Sequence, residues 1–204
     1  MKLFFNHASP FARKVMVCAH ELGIADRIEI ETLTLSPVDP SPAVIAASAL
    51  GKIPTLVMDD GSALFDSRAI CEYLDSLSAG AKMFPPAGPA RWAALRMAAL
   101  GDGICDTGVG LRYETLLRPK EFQWPEWVAA QRTRMTRSFQ EIEDRYTGDI
   151  AGVGIGSIAI GCALGYMDFR FPDIGWRDGR PKLTAWYETF VARPSMAETM
   201  PPKG

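Results

Sequence analysis

Three small groups of residues in the first half of the chain have the chemistry to hold a polar ligand. Ser9 precedes Pro10 at the head of an apolar-periodic run, Pro54 follows Ile53 just before a strand-like run, and Asp66-Ser67 precedes a second periodic run. Proline has a fixed φ and no N–H, so it suits the first position of a helix or the edge of a strand. A cis bond before Pro54 would turn the chain sharply and leave the N–H and C=O of Ile53 free for an extended ligand; for an X-Pro bond it costs only about 0.5–1 kcal/mol. Asp66 and Ser67 can cap a helix. The unpaired N–H groups of that helix start, with the Ser67 hydroxyl, seat a carboxylate, and Asp66 can take an ammonium. Main-chain pairing, a carboxylate seat and an anion for an amine describe a site for a small zwitterionic peptide. Without such a ligand, the same residues make a plain hairpin and a capped helix.

The surrounding pattern says what positions them. Lys2–Phe5 is a short strand, and Phe11, Val15, Cys18, Ala19 and Leu22 recur at helical spacing, with Ser9 as N-cap and Gly23 at the C-cap. Residues 28–35 alternate and predict a strand, and residues 36–49 form a loosely ordered Pro-rich stretch. Thr55–Met58 and Ser62–Phe65 flank Asp59-Asp60-Gly61, a hairpin signal. Ala69, Ile70, Tyr73, Leu74 and Leu77 then predict a helix. Strand and helix thus run β-α-β-(α)-β-β-α, a thioredoxin-like order with helices flanking a small mixed sheet.

Three prolines and two glycines between Ala79 and Pro89 mark a linker. Residues 1–78 are therefore expected to form an α/β domain and residues 90–204 an all-α bundle. Gly101, Gly103, Gly108 and Gly110 interrupt the first helix of that bundle, implying close packing, a bend or room for a ligand near Asp102, Asp106, Arg112 and Tyr113. Trp124–Tyr146 is amphipathic. The stretch 150–167 carries no charge, yet its helix, predicted from Ser157 to about Phe169, is too short to span a bilayer and reads as a buried central helix. Leu183, Trp186, Tyr187, Phe190 and Val191 predict a last helix over 181–191.

A formal charge of −2 gives no footprint for nucleic acid. The four cysteines are scattered without a C-x-x-C pair, and His7 and His20 are the only histidines, so neither a disulfide framework nor most metal sites is expected. Cys18 lies too far down its helix to act as a redox thiol. Arg13 and Lys14 read as a solvated face, and the chain as cytoplasmic and free of the membrane.

L-G-K-I-P-T-L (50–56) followed by L-F-D-S-R-A-I (64–70) closely resembles the glutathione-binding signature of the cytosolic glutathione transferases, and P-x-L-x-x-W with R-P-S near the C-terminus is similar to bacterial members. The resemblance implies a two-domain fold in which Ile53, next to Pro54, pairs with the cysteinyl part of glutathione. It also implies that Asp66 and Ser67 hold the γ-glutamyl end and that Lys52 lies near the glycine carboxylate. Serine-type members place a serine where Ser9 stands, donating to the glutathione sulfur. Shifting that thiol from about 8.5 to about 6.5 takes about 2.7 kcal/mol, within reach of one charge-assisted hydrogen bond and the helix dipole. The implied reaction is thiolate attack on a small hydrophobic electrophile or organic peroxide in a cleft between the domains, as in detoxification, with Phe11, Asp106 and Tyr113 as candidate pocket residues. A homodimer is implied, glutathione is co-substrate, and no metal is needed. The alternatives are a glutathione-binding or protein-interaction member without turnover, and an isomerase or dehalogenase. Family members begin the buried helix with Ser or Thr and an acid three residues on; here Ser157 is followed by Ile160, so the returning bond is expected to be lost.

Overall fold

In the computed structural model, which describes residues 1–202, strand β1 (Lys2–Phe5) is the centre of a four-stranded sheet. It runs parallel to β2 (Glu29–Thr32) with Leu3 opposite Ile30, and antiparallel to β3 (Thr55–Val57) with Leu3 opposite Leu56. β3 pairs antiparallel with β4 (Ala63–Leu64), giving the order β2-β1-β3-β4. Leu3 and Leu56, at the sheet centre, are fully buried. The strand expected over 28–35 shrinks to four residues because β1 offers only four partners, Lys2 to Phe5. In the Pro-rich stretch a short helix, α2 (Pro42–Ala47), forms behind its N-terminal proline.

Helices α1 (Pro10–Glu21) and α3 (Ser67–Leu77) pack on each other. At their contact the Cys18 thiol lies 4.0 Å from the Cys71 carbonyl and the Cys71 thiol 4.0 Å from that of Lys14. The neighbouring Cys71 thiol, and then burial, push the Cys18 thiol well up, which suits an inert core residue. Arg13 and Lys14 correct the expectation of a solvated face, since both are 2% exposed. Arg13 is covered by a short helix, α8 (Pro194–Glu198), whose Met196 carbonyl it meets.

The chain divides into two compact units. The first is Met1–Pro85 together with residues 194–202, so the tail assigned from sequence to the helical part belongs with the sheet. The second, Pro86–Arg193, holds α4 (Gly88–Leu116), α5 (Pro125–Glu141) continued by a π turn over Ile142–Tyr146, α6 (Ile155–Arg170) and α7 (Pro181–Val191). Every residue of α6 from Ile155 to Met167 is buried, as expected of a central helix. No helix among the described residues is long and apolar enough to cross a membrane.

Glycines let α4 and α6 approach. A Cβ on Gly101 would lie 2.6 Å from the Ala159 carbonyl carbon, and one on Gly108 would lie 2.9 Å from Met167 Cε, whereas Gly103 faces open space. Helix α6 also begins earlier than predicted. Gly154 is the N-cap and Ser157 the third helical residue, where its hydroxyl accepts from the Gly154 N–H at 2.9 Å. Ser157 thus makes the returning bond of a capping box itself, and Ile160 replaces nothing.

Candidate functional site

The sheet register gathers three loops. With Phe4 opposite Thr55 and Leu56 opposite Leu64, the residues leaving β1, those entering β3 and those leaving β4 lie at the same end of the sheet. Helices α1 and α3 both begin there, so two sets of unpaired N–H groups and two positive dipole ends share that edge.

Ser9 is the N-cap of α1, with extended backbone (φ −84°, ψ 117°), and its hydroxyl accepts from the Ala12 N–H at 3.2 Å. The hydroxyl's own proton has no acceptor among the described residues. A residue passed over in the sequence fixes this geometry. Where the β1–β2 ladder runs out, the Asn6 side-chain amide donates to the Leu33 carbonyl at 2.7 Å. Its Oδ1 accepts from the Ala8 N–H at 2.8 Å, and its carbonyl accepts from the Ser9 N–H at 2.9 Å. Asparagine three residues before an N-cap serine, in a turn, was the legible signal. His7 points outward, edge-on to Phe5 at 5.0 Å. Phe11 is half-buried in the first turn of α1.

The Ile53-Pro54 peptide is cis, and so is Phe65-Asp66. Among the described residues the N–H and C=O of Ile53 have no backbone partner. The buried Thr55 hydroxyl donates to the Lys52 carbonyl at 2.8 Å, bracing the turn that presents Ile53. Lys52 is exposed. Asp66 caps α3: its Oδ1 accepts from the Arg68 N–H at 2.8 Å and from the Ser67 hydroxyl at 3.3 Å. Asp66 is exposed and Ser67 buried.

Ser9, Ile53, Pro54, Asp66 and Ser67 are therefore brought to one sheet end, with Lys52 beside Ile53. Asp106 and Tyr113 stand on α4 of the other unit, Asp106 exposed and Tyr113 37% exposed. Burial pushes the Tyr113 phenol up. Asp102, expected beside a cleft, is instead 1% exposed and part of the core. Among the described residues no group of three or more His, Cys, Asp or Glu is placed to hold a metal.

Residues 8–77 match the glutathione S-transferase N-terminal domain family, and residues 125–189 match the corresponding C-terminal domain family. Over its whole length the chain is 34% identical to the uncharacterized GST-like protein YibF of Escherichia coli K12, likewise covered in full. The chain belongs to the glutathione transferase family. A family member from Pseudomonas fluorescens Pf-5, solved with bound glutathione, superimposes with a TM-score of 0.97 at 45% identity, covering 99% of each chain. That protein has also been solved with S-(propanoic acid)-glutathione. A glutathione S-transferase from Methylobacterium radiotolerans, in complex with glutathione sulfonate, superimposes with a TM-score of 0.88 at 31% identity, covering all of this chain and 95% of the other.

Proposed function

We propose that this glutathione transferase binds glutathione on its first unit and activates the thiol with Ser9. The observation that carries the reading is the Ser9 hydroxyl: it accepts from Ala12 and keeps its proton for another acceptor at the mouth of α1. A thiolate sulfur is such an acceptor, and the dipole of α1 favours its negative charge. The free main-chain groups of Ile53 pair with the cysteinyl residue. Asp66 and Ser67 hold the γ-glutamyl ammonium and carboxylate, and Lys52 meets the glycine carboxylate. The Pseudomonas fluorescens relative, which holds glutathione at 45% identity, supports this reading.

With the thiolate formed, a C–S bond is made to an electrophilic carbon and the leaving group departs with its electron pair. With an organic peroxide, sulfur takes the terminal oxygen and releases an alkoxide that is protonated to the alcohol; a second glutathione then gives the disulfide and water. Phe11, Asp106 and Tyr113 are proposed to contact the second substrate. The relative's S-(propanoic acid)-glutathione has the form of a conjugation product ending in a carboxylic acid. A cytoplasmic homodimer acting in detoxification completes the reading.

The test is the thiolate absorbance of bound glutathione, titrated against pH in wild type and Ser9→Ala. The midpoint is expected to rise by about one to two units in Ser9→Ala, a loss of roughly 1.4–2.7 kcal/mol. Equal midpoints would remove Ser9 from the chemistry, and a wild type that binds no glutathione at millimolar concentration would remove the enzyme.

A further inference from the structure

The contact between α4 and α6 fixes which side chains stand together one turn beyond it. Gly156 meets Met97, Gly101 meets Ala159 and Ile160, and Gly108 meets Tyr166 and Met167. The helices therefore run in the same direction with a constant offset. One turn on, Arg112 follows Gly108 and Arg170 follows Tyr166, and the same offset sets the two arginines side by side. Both are half-buried.

Neither arginine has a carboxylate partner among the described residues. Arg170 lies over the ring of Phe169 at 3.8 Å, and Arg112 makes no ion pair with a described residue. The acids close in sequence are engaged elsewhere. Glu114 accepts from Arg118 at 2.6 Å, Asp168 from Arg177 at 2.6 Å and from Trp176 at 2.7 Å, and Asp106 has a partner of its own. Burial, and then the charge of Arg112, hold Arg170 below its ordinary range. Burial pushes the Tyr166 phenol up to about 12, so beside them it remains a hydroxyl able to donate. Two guanidiniums that cannot shed their protons and are not neutralised by the fold make a seat for a planar anion, which each can bind through paired N–H groups.

We propose that Arg112, Arg170 and the Tyr166 hydroxyl form a subsite on the second unit for the carboxylate of a small organic acid. The seat is built from residues of that unit alone and does not rest on the proposed glutathione chemistry.

Calorimetry with para-chloro-meta-nitrobenzoate and its neutral benzamide analogue, on wild type, Arg112→Gln, Arg170→Gln and the double variant, tests this. Wild type is expected to bind the benzoate about tenfold tighter than the benzamide, and each variant to lose most of that preference with benzamide affinity within about twofold. Far-UV circular dichroism shows that the variants are folded. No preference in wild type, or one kept by the double variant, overturns the proposal. A wild type that binds the benzoate but no glutathione leaves the anion seat standing and removes the proposed function alone.

Discussion

The buried guanidinium of Arg13 donates from Nη2 to the carbonyl oxygen of Met196 at 3.0 Å, joining positions 183 residues apart. Its Nε donates to the Thr199 hydroxyl at 3.4 Å. Around this bond Ser195 donates to Glu21 at 2.5 Å, and His20 meets Glu198 at 3.3 Å. Arg13→Ala strips the partner from a buried carbonyl and leaves a void under α8. We expect a loss of about 2–4 kcal/mol, read as a lower urea midpoint. Arg13→Met, which keeps the volume, should lose less. A change under about 0.5 kcal/mol in Arg13→Ala, the range of an ordinary surface site, would mean that α8 is not fastened through this side chain.

Asn6 acts on Ser9 by holding the turn in which the N-cap is set. Asn6→Ala should raise the ionisation midpoint of bound glutathione by about half a unit to one unit. In the Ser9→Ala background, where no hydroxyl remains to be misplaced, the same change should add little. Fully additive shifts in the double variant would show that Asn6 influences the thiol by another route.

Two glycines of α4, two residues apart, should respond oppositely to a methyl group. Gly103→Ala faces open space and is expected to stabilise by about 0.5–1 kcal/mol through helix propensity. Gly101→Ala would press a Cβ to 2.6 Å from the Ala159 backbone and should cost about 3 kcal/mol or more as α4 and α6 are driven apart. Thermal unfolding of the pair, side by side, decides it; matching shifts would mean that the close approach does not exist.

Tyr166 predicts an alkaline limit. Its phenol sits near about 12 in the folded chain, against about 10 when unfolded. The folded state therefore holds the proton more tightly, and this stabilisation is complete below about pH 10. It is lost as pH rises towards about 12, the loss amounting to roughly 2–3 kcal/mol. Urea unfolding from about pH 9 to about pH 12 should show wild type losing more stability than Tyr166→Phe. Parallel curves would mean that the phenol is hydrated.

Where the polypeptide spoke plainly, local pattern and final structure had the same cause. The Ser9-Pro10 pair gave both the cap and the first helical residue, and the spacing from Leu183 to Val191 gave α7 to the residue. At Arg13 and Lys14 the pattern misleads, because charge signals solvent unless something covers it, and the cover for Arg13 comes from the far end of the chain. The start of α6 is hidden because Gly154 has no side chain with which to announce a cap. The Arg112–Arg170 pairing depends on how two helices cross, which residues 58 positions apart do not reveal by themselves.

Because α8 returns to the sheet, the first unit is not one continuous run of chain. A fragment stopping at Pro85 would bring a guanidinium into the open together with the apolar flank of α1 around it, and should be prone to clump. Linking the two termini and reopening the backbone near the 85/86 boundary and after Arg193 would instead yield that unit whole, with its last helix translated first.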